Sequence, residues 1–218
     1  MNQISLSAKG FLALGVLAAI GLVGYGLTYI VVMPQVSPQG FVPQTSGMGA
    51  GTPSSFSIIL AVFVLIYAFA FLPVNVLFTI KHYRTNPYAL IFACCLIGIS
   101  TVIEIFNNLP LIASGLYPGK LETIPAEIAL YLRQTETIRW LSFDVAGFAL
   151  IYAALFVYAL VYFRSNRLLA YTSLGSIVLF VANLPFLWLS SNLAVILMVL
   201  SIFVCAVIPV LLARMALE

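Results

Sequence analysis

Glu104 stands inside a long apolar stretch, with Asn107 and Asn108 three and four residues further on. That spacing places all three on one face of a helix, which Thr101 and Gly98 continue a turn further in. A carboxyl group flanked by amides can take up a proton, or hold the positive end of a small molecule while the amides orient it. Asp144 and Asn183 add an acid and an amide in two other apolar stretches, and Arg139 lies close enough to Asp144 to pair with it. An ionised carboxylate at mid-bilayer costs about 2.5 to 3.5 kcal/mol, so such groups face a bundle interior or a wet cleft, or carry a proton.

Two readings of these residues follow. In the first, Glu104, Asn107, Asn108, Asp144 and Asn183 form a polar pocket, open to the outside, for a proton or a small cationic substrate. In the second they are structural, with Glu104 hydrogen-bonded across helices and Asp144 paired with Arg139 near the headgroups. At a rise of about 1.5 Å per residue, Glu104, Asp144 and Asn183 all fall roughly 6 to 9 Å below the outer boundary of their spans. The polar residues thus gather at one level.

Other chemistries lack their residues. The three cysteines, Cys94, Cys95 and Cys205, lie in apolar segments and make no metal-like spacing with the single histidine, His82. Paired haem ligands and a mid-span lysine for retinal are both missing from the pattern, so no cofactor and no metal are expected. There is no Gly-rich phosphate loop and no catalytic serine constellation, which points away from an enzyme. Cys94 and Cys95 read as small apolar filler, with an oxidant-sensing or lipid-accepting pair as the alternative.

What must position these groups is a membrane bundle. Of 218 residues, 63% are hydrophobic and 7% charged, far from the roughly 25% charged residues of soluble domains. Nine Lys or Arg against six Asp or Glu, spread along the chain, make no nucleic-acid signature. Six stretches reach the length of about 20 apolar residues that a spanning helix needs, at about 11-33, 56-80, 88-110, 140-163, 168-189 and 193-213. The expected fold is therefore all-α: a polytopic membrane helix bundle of six transmembrane helices in one domain over 1-218, with outer loops at 34-55 and 111-139.

Basic residues set the orientation. Lys9, Lys81, Arg84, Arg164, Arg167 and Arg214 fall on one side, whereas Lys120, Arg133 and Arg139 share one long loop on the other. By the positive-inside rule the first side is cytoplasmic, which places both termini there and the chain in the plasma membrane. Helices 2 and 3, and helices 4 and 5, should then be antiparallel neighbours across short basic turns. His82 in the first turn reads as a solvated residue, or as a contact for anionic headgroups.

The outer connections differ in character. Residues 34 to 55 are rich in Pro and Gly and read as an extended loop. Leu121, Ile124, Ile128, Leu132 and Ile138 recur near helical spacing, with acids early and basic residues late, so this segment reads as an amphipathic helix on the outer face. Asn108-Leu109-Pro110 recurs as Asn183-Leu184-Pro185 in helices of the same direction, and each proline removes a helix hydrogen bond. Pro73 and Asn75 interrupt the inner half of span 2 as a packed kink or a gate. Gly15, Gly21, Gly24 and Gly26 in span 1 permit close helix packing. Trp140, Trp188, Tyr83, Tyr88 and Tyr162 read as interfacial anchors.

This layout of six spans, a long first outer loop and an amphipathic outer segment before span 4 resembles a broad group of small bacterial six-helix membrane proteins of unknown function. The resemblance implies the bundle and no functional residue. The expected function is a non-enzymatic transporter-like or sensor-like membrane protein, in contact with lipid. Its alternative is a structural or accessory subunit whose polar groups meet membrane protein partners, and a third class is an intramembrane enzyme.

Overall fold

Backbone in lipid must satisfy its own N-H and C=O groups, and continuous apolar runs do so as helices. The computed structural model describes residues 8–32, 55–116, 145–189 and 191–217, and all regular structure among them is helical. The helices are α1 (Ala8–Val32), α2 (Ser55–His82), α3 (Pro87–Leu116), α4 (Val145–Tyr162), α5 (Arg167–Leu189) and α6 (Ser191–Leu217). Five of them, all but α5, carry stretches long and apolar enough to cross a membrane. In α5 the apolar stretch Arg167–Asn183 is shorter. The chain is a polytopic membrane helix bundle.

Helix ends depart modestly from expectation. The α3 helix continues past Pro110 to Leu116, and α2 runs unbroken through Pro73. A proline removes one N-H donor, and flanking bonds in an apolar medium keep the helix going. Most of the 34-55 loop and the amphipathic helix expected over 121-139 lie outside the described residues, as do Trp140, Arg139 and Asp144.

The two turns expected at the basic end share one construction. In the first, Thr85 N donates to His82 O at 2.9 Å, and Asn86 caps α3 by accepting from Ala89 N at its Oδ1 (3.3 Å). Pro87 follows at the first helical position, where a missing N-H does no harm. In the second, Asn166 N donates to Tyr162 O at 2.9 Å, and Asn166 Oδ1 accepts from Leu169 N at 3.1 Å. Short capped turns of this kind fold α2 against α3 and α4 against α5, as antiparallel neighbours.

Glycines fix the course of α1. A Cβ on Gly15 would stand 2.7 Å from Ala213 Cβ, and one on Gly21 would stand 2.6 Å from Tyr67 N. Only glycine allows these approaches, so α1 runs antiparallel to both α6 and α2 with backbones nearly touching. The small residues of span 1 therefore serve packing within the bundle, as their spacing suggested.

Helix α4 is the hub. It meets α1 through Phe148 and Tyr25 (ring centroids 5.2 Å), α2 through Tyr158 and Asn75, and α3 through Gly147 and Ser100. Its Tyr152 stacks on Phe180 of α5 at 4.2 Å and hydrogen-bonds Ser201 of α6 at 2.6 Å. The other helices neighbour one another in the order α3, α2, α1, α6, α5. Helix α2 also touches α6, and α4 packs against all five. On α4, residues Ala146, Ala149, Ala153, Phe156 and Leu160 are exposed at helical spacing.

His82 departs from the solvated reading. It is half-buried, its ring lies 4.6 Å from Phe78 and 6.0 Å from Tyr162, and its Nε2 bonds Met215 O at 3.1 Å. A carbonyl can only accept, so Nε2 carries the proton and donates. The reason for the difference is that α2 and α6 both end here, and the ring covers the unsatisfied carbonyls of the α6 C-terminus. Tyr162, read as an interfacial anchor, is likewise buried, packed on Phe78. Tyr83 and Tyr88 are exposed, as anchors are.

Candidate functional site

The inward face of α3 carries Ser100, Thr101, Glu104, Asn107 and Asn108, all buried, while Ile99, Val102 and Phe106 on its other side are exposed. Helical period turns the polar residues in, because the opposite side meets the apolar medium. Thr101 Oγ1 returns its proton to Ile97 O at 2.9 Å, within its own helix. Ser100 Oγ donates across the interface to Gly147 O of α4 at 2.8 Å. Gly98, expected on the same face, has open space beside it and belongs to a different side of the helix. A residue six positions from Glu104 stands about a third of a turn around the cylinder from it.

Glu104 is 1% exposed, and it is the one acidic residue among those described. Asn108 Nδ2 donates twice to it, to the backbone O at 2.9 Å and to carboxylate Oε2 at 3.1 Å. Both amide hydrogens of Asn108 are thereby used, and its Oδ1 has no partner among the described residues. The other carboxylate oxygen, Oε1, points at Gly147, where a Cβ would overlap it. Gly147 thus does two things: its bare Cα admits the carboxyl group, and its carbonyl takes the Ser100 proton.

Glu104 and Asn108 therefore meet on the buried face of α3 against α4, and Asn107 is buried on the same face. Asn183 is buried on α5, where its Nδ2 faces Met198 Sδ of α6 at 3.6 Å, and among the described residues no contact joins it to Glu104. The level is shared all the same. Phe180 stacks on Tyr152, and Asn183 and Gly147 lie three and five residues beyond those two toward the same end, roughly 4.5 and 7.5 Å. Asp144 and Arg139 lie outside the described residues.

A second set of polar groups escaped the sequence reading. Tyr152 Oη donates to Ser201 Oγ, which in turn donates to Ser176 O of α5 at 2.8 Å, so three helices share one hydroxyl chain. Tyr158 Oη donates to Asn75 Oδ1. The Tyr67 hydroxyl is buried and has no hydrogen-bond partner among the described residues. The signal was present in part: tyrosines usually collect at membrane interfaces, whereas Tyr67 and Tyr152 lie near the middle of their spans.

A groove of about 410 Å³ opens elsewhere, lined by Leu14, Leu17, Leu65, Phe69 and Ile112 among others. Its walls are apolar and suit a lipid chain, not the polar chemistry of Glu104. Comparison of the chain with protein-family models, with curated proteins and with solved structures found no match in any of the three.

Proposed function

We propose that this chain is a transporter-like membrane protein, without enzymatic activity, in which Glu104 binds a proton or a small cation. The observation that carries the reading is a carboxyl group buried at 1% exposure between two helices of an apolar bundle, with Asn108 bonded to one oxygen and Gly147 kept bare beside the other. Intramembrane carboxyl groups are expensive and are retained where they exchange protons or ions. Asn107 and Asn108 orient the bound species.

In this reading all six helices cross the plasma membrane. Every Lys and Arg among the described residues, from Lys9 through Arg214, sits at the end of the bundle where α2 and α4 finish. That end is cytoplasmic by the positive-inside rule, with both termini there, and the Glu104 cluster belongs to the outer part of the bundle. Reconstitution into vesicles with an imposed proton gradient tests the reading, comparing wild type with Glu104→Gln and Asp144→Asn. Equal flux and equal thermal stability in all three would overturn it.

The second reading, an accessory subunit of a larger membrane complex, draws on the exposed stripe of α4. Ala146, Ala149 and Ala153 are exposed on one side of α4, and small residues of this kind let another helix approach closely. Mass measurement after purification in mild detergent separates the two. A lone protomer or homo-oligomer supports the transporter, and a stoichiometric second protein supports the subunit.

A further inference from the structure

The two capped turns at the basic end repeat in sequence as well as in construction. Tyr83-Arg84-Thr85-Asn86, after α2, recurs as Phe163-Arg164-Ser165-Asn166, after α4. Burial repeats with the same offset. Ile80 and Leu160 are exposed at 65% and 63%, Tyr83 and Phe163 at 50% each, and Leu90 and Ala170 are both buried. Equivalent residues also pack on one another, Phe78 edge-on against Tyr158 at 5.7 Å and His82 against Tyr162 at 6.0 Å. The turns are therefore neighbours on one end of the bundle.

The apolar stretches stop at His82 and Tyr162, and the next begin at Pro87 and Arg167. Arg84 and Arg164 thus stand where hydrocarbon gives way to headgroups. Both are exposed, and among the described residues neither makes an ion pair or a hydrogen bond. Lys9, Lys81, Arg167 and Arg214 share this end, and no acid is described there. His82 is held inward on Met215 O. Below each arginine runs an exposed apolar stripe, Val76 and Ile80 along α2 and Phe156 and Leu160 along α4, at helical spacing. A cation above apolar surface matches an amphiphile with a phosphate above its acyl chains, which free phosphate does not.

We propose that the repeated turns are two equivalent sites for anionic phospholipid, with Arg84 and Thr85 holding the phosphate of one lipid and Arg164 and Ser165 that of another. A guanidinium offers its planar fork of N-H donors to two phosphate oxygens, and the exposed hydroxyl of the next residue can donate to a third. The acyl chains lie on the stripes below, against Ile80 and Leu160. Each turn is fixed by its own asparagine cap, so the arginines leave from a rigid base and the sites differ little from one another. The proposal concerns the basic end of the bundle and is independent of the role of Glu104.

The test is native mass spectrometry of the full chain in mild detergent, titrated with dimyristoyl phosphatidylglycerol or with dimyristoyl phosphatidylcholine, whose chains are the same and whose headgroup carries no net charge. The proteins compared are wild type, Arg84→Gln, Arg164→Gln, their double variant and Lys9→Gln, which removes one exposed charge from the same end outside the turns. Wild type and Lys9→Gln should each retain about two phosphatidylglycerols, each single arginine variant about one, and the double variant no more than it retains of phosphatidylcholine. Equal retention of the two lipids by wild type overturns the proposal, whatever the variants do. Equal loss in Arg84→Gln, Arg164→Gln and Lys9→Gln overturns it too, since a diffuse positive field would then suffice. Displacement of phosphatidylglycerol by an equal concentration of inorganic phosphate would show that the sites take the free anion and not the lipid.

Discussion

Gly147 has no room for a side chain because the carboxyl group of Glu104 occupies the space where its Cβ would lie. The two residues come from different helices, and their fit closes α3 onto α4 at the level of the buried acid. Substitution Gly147→Ala should destabilise the bundle by about 1 to 3 kcal/mol through overpacking. The double substitution Gly147→Ala with Glu104→Ala should recover part of that loss, because the colliding atoms are gone. Unfolding in detergent titration reads both, and full additivity would show that the contact is not shared.

Asn108→Leu removes the amide that donates to Oε2 and to the backbone of Glu104. The abandoned buried carboxylate oxygen should make this change destabilising by about 1 to 3 kcal/mol. Combined with Glu104→Leu, the loss should be smaller than in Asn108→Leu alone, since no stranded polar group remains. Denaturation midpoints of the three variants check this.

Tyr158 and Asn75 join α4 to α2 by one buried hydrogen bond. A double-mutant cycle with Tyr158→Phe and Asn75→Leu should give a coupling of about 0.6 kcal/mol, the average for such bonds between helices in membranes. A coupling of zero would mean that the hydroxyl and amide do not meet in the folded protein.

Topology is read with introduced cysteines. Thr85 and Ser165 lie in the two capped turns at the basic end, both exposed. With the three native cysteines replaced, Thr85→Cys and Ser165→Cys should resist a membrane-impermeant thiol reagent in intact cells and react after permeabilisation. Labelling of intact cells would place the basic end outside.

Much of the bundle was legible because its causes are local. Continuous apolar runs have one solution in lipid, so Ser55–His82 and Pro87–Leu116 follow from composition, and Asn86 with Pro87 marks a helix start by capping chemistry alone. The cluster of Glu104, Asn107 and Asn108 was legible for the same reason, since helical period puts them on one face. Gly147 was not, because nothing near it in sequence says that a carboxyl group from α3 will arrive. The same holds for His82, whose partner carbonyl lies 133 residues away on α6. Tyr67 and Tyr152 were visible as mid-span tyrosines, yet only the packing of the helices shows that they and Tyr158 are all buried in the bundle.

Proton flux through reconstituted wild type and Glu104→Gln, at equal protein density and equal melting temperature, tests the role of Glu104 most directly. The amide keeps the shape and the hydrogen bond from Asn108 but cannot exchange a proton. Flux should be at least about tenfold lower in Glu104→Gln. Flux equal to wild type in a variant of equal stability would contradict it.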